Sequence, residues 1–173
     1  MRWSLDELYS SFESEEYMED LERVEKYLQD LMDWSDKNLK SPENPATKIE
    51  TYLNKLIDFS LPFVKLITFA SLRSSVNAKD ELAHKYLDIL HMKYTETTKP
   101  FYQFKKFIHS IDNLDEIIES SDFLKEHRFY LNEIKLSTNY LLSQAEEILI
   151  SKMKNTGSKA WTKLQNKVTS TLL

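Results

Sequence analysis

The sequence predicts an all-α fold: an irregular bundle of about six to eight helices that forms one domain over residues 1–173. The 173 residues include one glycine and four prolines, which are too few for the turns of a many-stranded fold. Apolar residues recur instead at the three- and four-residue spacing of amphipathic helices. With 41% hydrophobic and 29% charged residues, the chain can form both a packed core and a solvated surface.

The first predicted elements are a strap and an amphipathic helix. Residues 1–12 are rich in apolar side chains but irregular in spacing, so we expect them to lie across the bundle as a strap. Ser14 is a suitable N-cap, and Glu15 and Glu16 suit the first turn of a helix. Apolar residues then follow at helical spacing, which predicts a helix that ends at about Lys37.

A loop over residues 41–45 precedes the most apolar part of the chain. The second helix should begin at the end of this loop and be buried almost all round. Pro62 lacks an amide hydrogen and its ring crowds the preceding turn, so it should bend this helix or split it in two. Asn77 should cap a third helix, which ends before Pro100.

The second half of the chain predicts shorter helices with clear breaks. A short helix should begin at Pro100, and the longest later helix should cover residues 121–142. We expect this later helix to form the centre of the bundle with the second and third helices. Ser143 and Glu146 have the spacing of a capping box, which marks the start of a new helix. Gly157 marks the final break before a last helix.

Charge is unevenly distributed along the chain, whose net charge is −5. Residues 1–36 contain twelve acidic and three basic side chains, whereas residues 151–173 contain five lysines and no acid. This pattern favours solvated helix faces with attraction between the two ends, and the alternative is a lysine-lined surface for an anionic partner. The net negative charge opposes nucleic acid as a partner.

Composition also bears on the cellular compartment. The absence of cysteine excludes disulfides, cysteine-based zinc sites and thiol nucleophiles. The most apolar stretch, residues 59–72, is interrupted by Pro62 and Lys65 and falls short of the roughly 20 apolar residues that span a bilayer. The acidic N-terminus does not resemble a secretory signal. We therefore expect a cytoplasmic protein without a membrane partner.

The residues predict no catalytic centre, so we assign no catalytic residue. None of the four histidines is followed by glutamate, which excludes a His-Glu-x-x-His zinc centre. The spacing of His84, Asp88 and His91 alone suits a metal, because it places two imidazoles and a carboxylate on one helix face. That face lies opposite the leucines of the helix, so we expect it to be exposed to solvent and to hold no metal.

Two further patterns have a structural and a functional interpretation. His127, close to Phe129, is typical of a hydrogen-bonded histidine in a core or an interface. Lysines at positions 159, 163 and 167 form a stripe at helical spacing beside Trp161, a pattern that suits phosphate binding with one stacking aromatic ring. A solvated helix face is the favoured interpretation of this stripe.

Three segments carry a family resemblance. Residues 3–17 read WSLDELYSSFESEEY, residues 70–77 read ASLRSSVN, and residues 156–172 begin with TGSKAW and end with VTSTL. Together they resemble the N-terminal region of the oligoendopeptidase F family, zinc peptidases of the thimet-oligopeptidase-like class. The last segment is the most specific, and Ser4 departs from the Asp or Asn that is more usual in the family.

The resemblance spans essentially the whole chain but corresponds to only about the first third of a family member. It implies a helical, non-catalytic lobe that forms part of the substrate channel and restricts hydrolysis to short peptides. It also implies that zinc and its ligands belong to the parent enzyme, beyond Leu173, and that the absent C-terminal catalytic domain is the partner. A free-standing helical protein-interaction module is the alternative function.

The end of the sequence is apolar. Val168, Leu172 and Leu173 should leave apolar surface, so we expect Leu173 to be an artificial end and this surface to promote self-association. The resemblance leaves open whether the chain is an engineered fragment, a proteolytic product or a truncated gene product.

Overall fold

The computed structural model describes residues 4–171, so Trp3, Leu172 and Leu173 lie outside the described chain. The described chain is helical throughout its regular elements, which confirms the all-α fold class. Seven helices have ten residues or more, in agreement with the predicted six to eight, and two are shorter. The helices are α1 (Glu15–Asn38), α2 (Pro45–Val76), α3 (Glu81–Glu96), α4 (Thr98–His109), α5 (Leu114–Glu119), α6 (Asp122–Glu126), α7 (Arg128–Ser137), α8 (Gln144–Thr156) and α9 (Ser158–Thr171).

Helices α1 and α2 form the spine of the bundle. The side-chain oxygen of Ser14 accepts a hydrogen bond from the amide of Tyr17 at 3.3 Å, so α1 begins with the predicted cap. Residues 39–44 reverse the chain through Asn44, whose φ of 49° lies in the left-handed region that asparagine tolerates. Pro45 then opens α2 at the position where a missing amide hydrogen costs least.

Two apolar clusters lie along this spine. The first unites the strap, the first half of α1, the second half of α2 and α3, through Tyr9, Phe12, Tyr17, Val24, Leu28, Phe59, Phe63, Leu66, Phe69, Ala70, Ala83 and Leu90. The second unites the end of α1, the start of α2 and the helices from α4 to α7, through Leu31, Leu39, Ile49, Tyr52, Leu53, Phe104, Phe107, Ile108, Ile111, Leu114, Ile118, Leu124, Leu131 and Ile134. Since α1 and α2 enter both clusters, the centre is their antiparallel pair rather than α2, α3 and residues 121–142.

The strap is held by aromatic packing and by one buried carboxylate. The rings of Tyr9 and Tyr17 meet edge to face at 5.0 Å, and Phe12 packs on Phe69 at the same distance. The hydroxyl of Tyr9 donates a hydrogen bond of 2.6 Å to Asp20 of α1. Burial, and then this hydrogen bond, raise the pKa of Tyr9 far above its usual value, so the phenol stays neutral and keeps donating.

Helix α2 runs through Pro62 without interruption, so a split of the helix there, one of the two expected outcomes, is wrong. Phe59 and Phe63 are buried on either side of the proline, and their packing holds the backbone helical despite the lost hydrogen bond. The expected burial all round is also wrong, because Leu61 is 69% exposed and Val64 is exposed as well. No helix within residues 4–171 combines the length and the apolar character needed to cross a membrane.

The cap of α3 is Asp80 rather than the predicted Asn77. A side-chain oxygen of Asp80 accepts the amide of Ala83 at 3.0 Å, while Arg73 donates two hydrogen bonds to the other oxygen at 3.1 and 2.9 Å. Asn77 instead ends α2, and its side chain accepts the amide of Lys79 at 3.1 Å. The ion pair with Arg73 favours Asp80 as the cap, because it links the end of α2 to the start of α3.

Residues 121–142 do not form the single long helix that the periodicity predicts. They divide into α6, α7 and a 3-10 turn over Thr138–Tyr140. The ring of His127 at the first break donates from Nδ1 to the Phe123 carbonyl at 2.8 Å, and the Thr138 hydroxyl at the second donates to the Lys135 carbonyl at 2.7 Å. These side chains donate to backbone carbonyls three and four residues earlier, and for Thr such bonds are known to compete with the backbone hydrogen bonds of a helix.

The predicted capping box at the start of α8 is confirmed. The Glu146 amide donates to the Ser143 hydroxyl at 3.4 Å, and the Ser143 amide donates to the Glu146 carboxylate at 2.8 Å. The Ser143 hydroxyl, and then the Ser143 amide, stabilise the ionised carboxylate of Glu146 and lower its pKa. On α7, the side chain of Phe129 is 79% exposed.

A lysine closes the end of α4. The ammonium group of Lys135 on α7 donates to the carbonyls of Ile108, His109 and Ile111 at 3.2, 2.9 and 2.7 Å. Carbonyl groups at a helix C-terminus lack intrahelical donors and carry partial negative charge, so a cation is favoured there. The contact therefore fastens α7 to the end of α4.

Replacing Pro62 by alanine should stabilise the protein. Pro62→Ala restores an amide donor inside an uninterrupted helix and should raise the free energy of unfolding by about 1–2 kcal/mol. Urea denaturation measures the change. Pro45→Ala is the matched control, because proline at the first position of α2 already fits and its loss should change stability by less than about 1 kcal/mol. A Pro62→Ala protein no more stable than the parent would contradict this account of α2.

Replacing Lys135 by methionine should destabilise the protein. Lys135→Met keeps most of the apolar stem but removes three charge-assisted donors, and should lower the free energy of unfolding by about 1–3 kcal/mol. The control is Lys125→Met, which removes an exposed ion pair with Asp122 and should cost less than about 1 kcal/mol. Equal losses for the two variants would show that the carbonyl contacts of Lys135 contribute nothing specific.

Candidate functional site

A groove of about 1040 Å³ lies between α3 and the arm formed by α8 and α9. Helix α3 supplies one wall, α9 supplies the opposite wall, and the end of α2 closes one side. We call it the α3–α9 groove. Its lining includes Ser74, Ser75, His84, Leu87, Asp88, His91, Met92, Asn155, Lys159, Thr162, Lys163 and Asn166.

The only glycine of the chain places α9 across from α3. The amide of Gly157 donates to the Met153 carbonyl at 2.8 Å, in a tight turn between α8 and α9. A Cβ atom at this position would lie 2.9 Å from that carbonyl oxygen, closer than real Cβ atoms approach backbone. Because only glycine fits this turn without a shift of backbone, Gly157 determines how α9 leaves α8.

Polar contacts fasten α8 beside α3 and α4. The side-chain amide of Asn155 donates to the Thr95 hydroxyl at 2.9 Å, and that hydroxyl donates to the His91 carbonyl at 2.9 Å. Thr98 donates to Ser151 at 2.9 Å. The side-chain oxygen of Asn155 is buried and has no hydrogen-bond partner among the described residues. Because this oxygen is fully buried, it is an unsatisfied acceptor that is not open to the groove.

The structure brings His84, Asp88 and His91 to one wall of this groove. The expectation that their face is exposed is wrong for both histidines, which are half-buried, because the α8–α9 arm stands over this side of α3. His84 donates from Nε2 to the Ala78 carbonyl at 2.8 Å. The two carboxylate oxygens of Asp88 accept hydrogen bonds from Lys163 at 2.9 and 2.8 Å.

This arrangement does not suit a metal ion. Among residues 4–171, no three His, Asp or Glu side chains are placed so that they could hold one. One ring nitrogen of His84 is engaged by a carbonyl, and Asp88 is engaged by an ammonium group. The residues present therefore do not fit the zinc site of the implied parent enzyme.

The lysine stripe of α9 faces the same groove. Lys159, Lys163 and Lys167 line it opposite the histidines of α3, and Lys163 forms the ion pair with Asp88. Lys163 of the basic C-terminal part therefore pairs with an acid of α3, and not with one of the acidic N-terminal part. The acids of α1 pair with lysines of α2, α3 and α4, in the pairs Asp20–Lys65, Asp30–Lys55, Glu25–Lys93 and Asp36–Lys99.

Charged side chains of both signs surround His91 in the groove. Burial, and then the charge of Lys159, lower the pKa of His91; the charge of Asp88 raises it, and Lys163 lowers it by less than Asp88 raises it. Lys159 forms no ion pair within the described chain, so its charge is uncompensated. The groove thus contains one lysine without an ion-pair partner beside the pair of Lys163 with Asp88.

The outer face of α9 is apolar and exposed. Trp161 is 72% exposed, and Leu164 and Val168 are about half exposed, at spacings of three and four residues along the helix. On α8, Leu149 and Met153 are exposed as well. Every side chain from residue 158 to residue 170 is exposed, so α9 directs a polar face to the groove and an apolar face away from it.

His127 and Asn155 show what the sequence could and could not reveal. His127 is half-buried, bonded to the Phe123 carbonyl and packed on the Phe123 ring at 4.5 Å, as expected of a structural histidine. Asn155 was missed, because its contact with Thr95 joins residues 60 positions apart and leaves no periodic signal. Only the turn at Gly157, which the sequence does mark, points to this part of the chain.

Residues 110–172, just over a third of the chain, match the family model described as Oligopeptidase F. The resemblance to the N-terminal region of oligoendopeptidase F is therefore confirmed. The matched segment begins before α5 and extends one residue beyond the described chain, and it contains α8, Gly157 and α9. The oligoendopeptidase-like residues 3–17 and 70–77 lie outside it. No curated protein and no solved structure matches the chain.

The oligoendopeptidase F match covers one wall of the groove and not the other. Helix α9 and Asn155 lie inside residues 110–172, whereas α3 lies before them. The matched segment also carries the exposed apolar faces of α8 and α9. The match therefore covers α5, α6 and α7 of the bundle as well as the arm.

The titration of His91 should respond to Lys159. Removing this ammonium charge by Lys159→Gln should raise the pKa of His91, measured by NMR from the ring proton shifts between pH 5 and 8. Lys154→Gln is the matched control, because Lys154 precedes the Gly157 turn and does not line the groove. An identical His91 pKa in both variants would show that the charge of Lys159 does not act on His91.

The same lowered pKa makes stability depend on pH. The unfolded chain takes up a proton on this histidine near its ordinary pKa of 6.5, before the folded protein does. Stability should therefore fall as the pH drops below about 6.5, and His91→Gln should reduce that fall. Thermal unfolding at several pH values measures both. If the stability of the His91→Gln protein depended on pH as that of the parent does, His91 would not be the cause of the pH dependence.

Proposed function

We propose that this chain is the N-terminal, non-catalytic lobe of a zinc-dependent, oligoendopeptidase F-like metallopeptidase. In that enzyme it would form part of the substrate channel and so restrict hydrolysis to short peptides. The observation that carries the proposal is the match of residues 110–172 to Oligopeptidase F. In this proposal the single domain over residues 1–173 acts in the cytoplasm with the C-terminal catalytic domain as its partner.

The arm of the structure supports a packing partner. Trp161 and Leu164 on α9 and Leu149 and Met153 on α8 expose apolar side chains within the matched segment. Fully burying one large apolar side chain contributes about 1.5–3 kcal/mol, so covering several of them would hold a second domain firmly. An exposed apolar face is expected where a lobe packs on the remainder of a larger enzyme.

The chemistry of this chain supports a non-catalytic role. Peptide hydrolysis by this class needs a metal that acidifies a water molecule and a carboxylate that takes its proton. The described residues contain no fitting ligand set, and His84 and Asp88 are occupied by a carbonyl and an ammonium group. What a helical lobe contributes instead is the shape of a channel, which selects substrates by size and positions them.

The alternative is a free-standing helical protein-interaction module. The α3–α9 groove favours it, because the groove is formed by this chain alone and has a defined charge. The acidic first helix is less suited, since Asp20, Asp30 and Asp36 already pair with lysines of the same chain. The two functions can be distinguished by sequencing the reading frame beyond the codon for residue 173. A continuation into a His-Glu-x-x-His helix supports the lobe, and a stop codon supports the module.

The chain on its own should neither hydrolyse peptides nor need zinc to fold. We expect no cleavage of a quenched fluorescent peptide with or without added zinc, and no change of Tm in the presence of a chelator. Any zinc-dependent cleavage should be repeated after repurification, with His84→Ala as the control for the candidate metal residues. Cleavage that persists and disappears in His84→Ala would overturn the non-catalytic assignment.

A further inference from the structure

We propose that α2 packs antiparallel on the α2 of a second copy of this chain. The surface for this contact consists of Ile57, Leu61, Val64 and Thr68, which we call the α2 stripe. These residues lie before the segment 110–172 that matches Oligopeptidase F, and they are distinct from the exposed apolar residues of the arm. A dimer through α2 is therefore independent of the function proposed for the arm, and its failure would leave that function untouched.

The α2 stripe is an exposed apolar seam on a helix whose other side supplies buried residues to both apolar clusters. Leu61 is 69% exposed, Val64 and Ile57 are 56% and 38% exposed, and Thr68 is half-buried. The four residues follow one another at spacings of four, three and four, which places them on one side of the helix. This spacing is that of the a and d positions of a coiled coil, where a second helix covers the apolar residues.

Two opposite charges border this seam. Asp58 and Lys65 line a recess of about 330 Å³ together with Leu61 and Pro62, which places both charges on the same side of the stripe. The two charges are seven residues apart, so they follow the seam at its own repeat. Asp58 is exposed and forms no ion pair within residues 4–171. Its carboxylate is therefore available to a partner.

An antiparallel arrangement of two copies pairs these charges. When the two-fold axis passes between Leu61 and Val64, Leu61 packs on the partner's Val64. In this register Asp58 stands opposite the partner's Lys65, and the symmetry repeats the pair in reverse. In a parallel pair both charges would face uncharged residues of the partner instead. Charge complementarity therefore selects a second copy of α2, and it also selects the antiparallel direction.

Lys65 can make this contact although it also lies near Asp20. Its ammonium group is 3.6 Å from the Asp20 carboxylate, whereas Arg23 contacts the same carboxylate at 3.0 Å and Tyr9 donates to it at 2.6 Å. The side chain of Lys65 is 38% exposed. Because other donors bind Asp20 more closely, the flexible stem of Lys65 allows its charge to meet a second carboxylate.

The apolar face of α9 suits a second copy less well. Trp161 and Leu164 are exposed there at a helical spacing of three residues. However, residues 151–173 contain five lysines and no acid, so two copies of α9 would repel each other. Of the two exposed apolar faces, only the α2 stripe has flanking charges that complement those of a second copy.

The size of the α2 stripe predicts a weak dimer. A standard stable interface buries about 800 Å² on each partner, which is more than four seam residues and two flanking charges supply. Small interfaces of this kind belong to transient complexes. We therefore expect a Kd of about 10–300 µM.

Sedimentation equilibrium of the full chain, at concentrations up to about 500 µM, measures this dimer. Leu61→Asp should weaken it at least about tenfold, because two carboxylates would enter the apolar seam. Leu164→Asp changes an exposed leucine of α9, so it is the matched control and should leave the Kd unchanged. Asp58→Lys should weaken the dimer about three- to thirtyfold, since it sets like charges opposite each other. Asp112→Lys makes the same charge change in the loop before α5 and should have no effect.

Crosslinking tests the register, because the chain has no cysteine of its own. In the antiparallel dimer the two copies of position 61 are offset by about 4.5 Å along the helix, and those of position 57 by about 16 Å. A short bismaleimide should therefore couple two copies of Leu61→Cys readily and two copies of Ile57→Cys hardly at all. A mixture of Ile57→Cys with Thr68→Cys should give a crosslinked dimer, since these two positions face each other.

Several outcomes would overturn the inference. A chain that stays monomeric at about 500 µM would show that the α2 stripe does not bind a second copy. If Leu164→Asp abolished the dimer and Leu61→Asp did not, the arm would be the interface. Equal crosslinking of Leu61→Cys and Ile57→Cys would indicate a parallel or a non-specific contact. If Leu61→Asp lost helicity in circular dichroism, the cysteine variants would still decide, because they place no charge in the seam.

Discussion

The antiparallel packing of α1 on α2 is the constraint on which the rest of the structure depends. The two helices supply buried residues to both apolar clusters, so every other element is placed by docking on one end or the other of this pair. The strap and α3 attach where α1 begins, and α4 to α7 attach where it ends. The arm contributes no buried residue to either apolar cluster, since no side chain of α8 is buried and those of residues 158–170 are exposed.

This division explains why the candidate site lies where it does. The spine holds α3 rigidly through Ala83 and Leu90, which are buried, and so fixes the wall that carries the histidines. The facing wall is held by the glycine turn, by hydrogen bonds of α8 and by the pair between Lys163 and Asp88. Exposed ion pairs contribute only about 0–1 kcal/mol, so the position of α9 depends mainly on its junction with α8.

The sequence predicts the local elements well because caps and periodicity are local signals. The start of α1 at Ser14, the capping box at Ser143 and the break at Gly157 each follow from residues within one turn. A split at Pro62 and a cap at Asn77 were wrong because distant packing and an ion pair, which a single segment does not show, outweighed local preference. The site followed the same rule. The spacing of the histidines and of the lysines was visible, but their facing each other was not, because it depends on how Gly157 turns the arm.

The two faces of α9 are linked through the position of the helix. Its groove face is polar and weakly held, whereas its outer face exposes Trp161 and Leu164, whose burial by a partner would contribute about 1.5–3 kcal/mol each. A partner domain on the outer face would therefore contribute more to the position of α9 than the pair of Lys163 with Asp88 does.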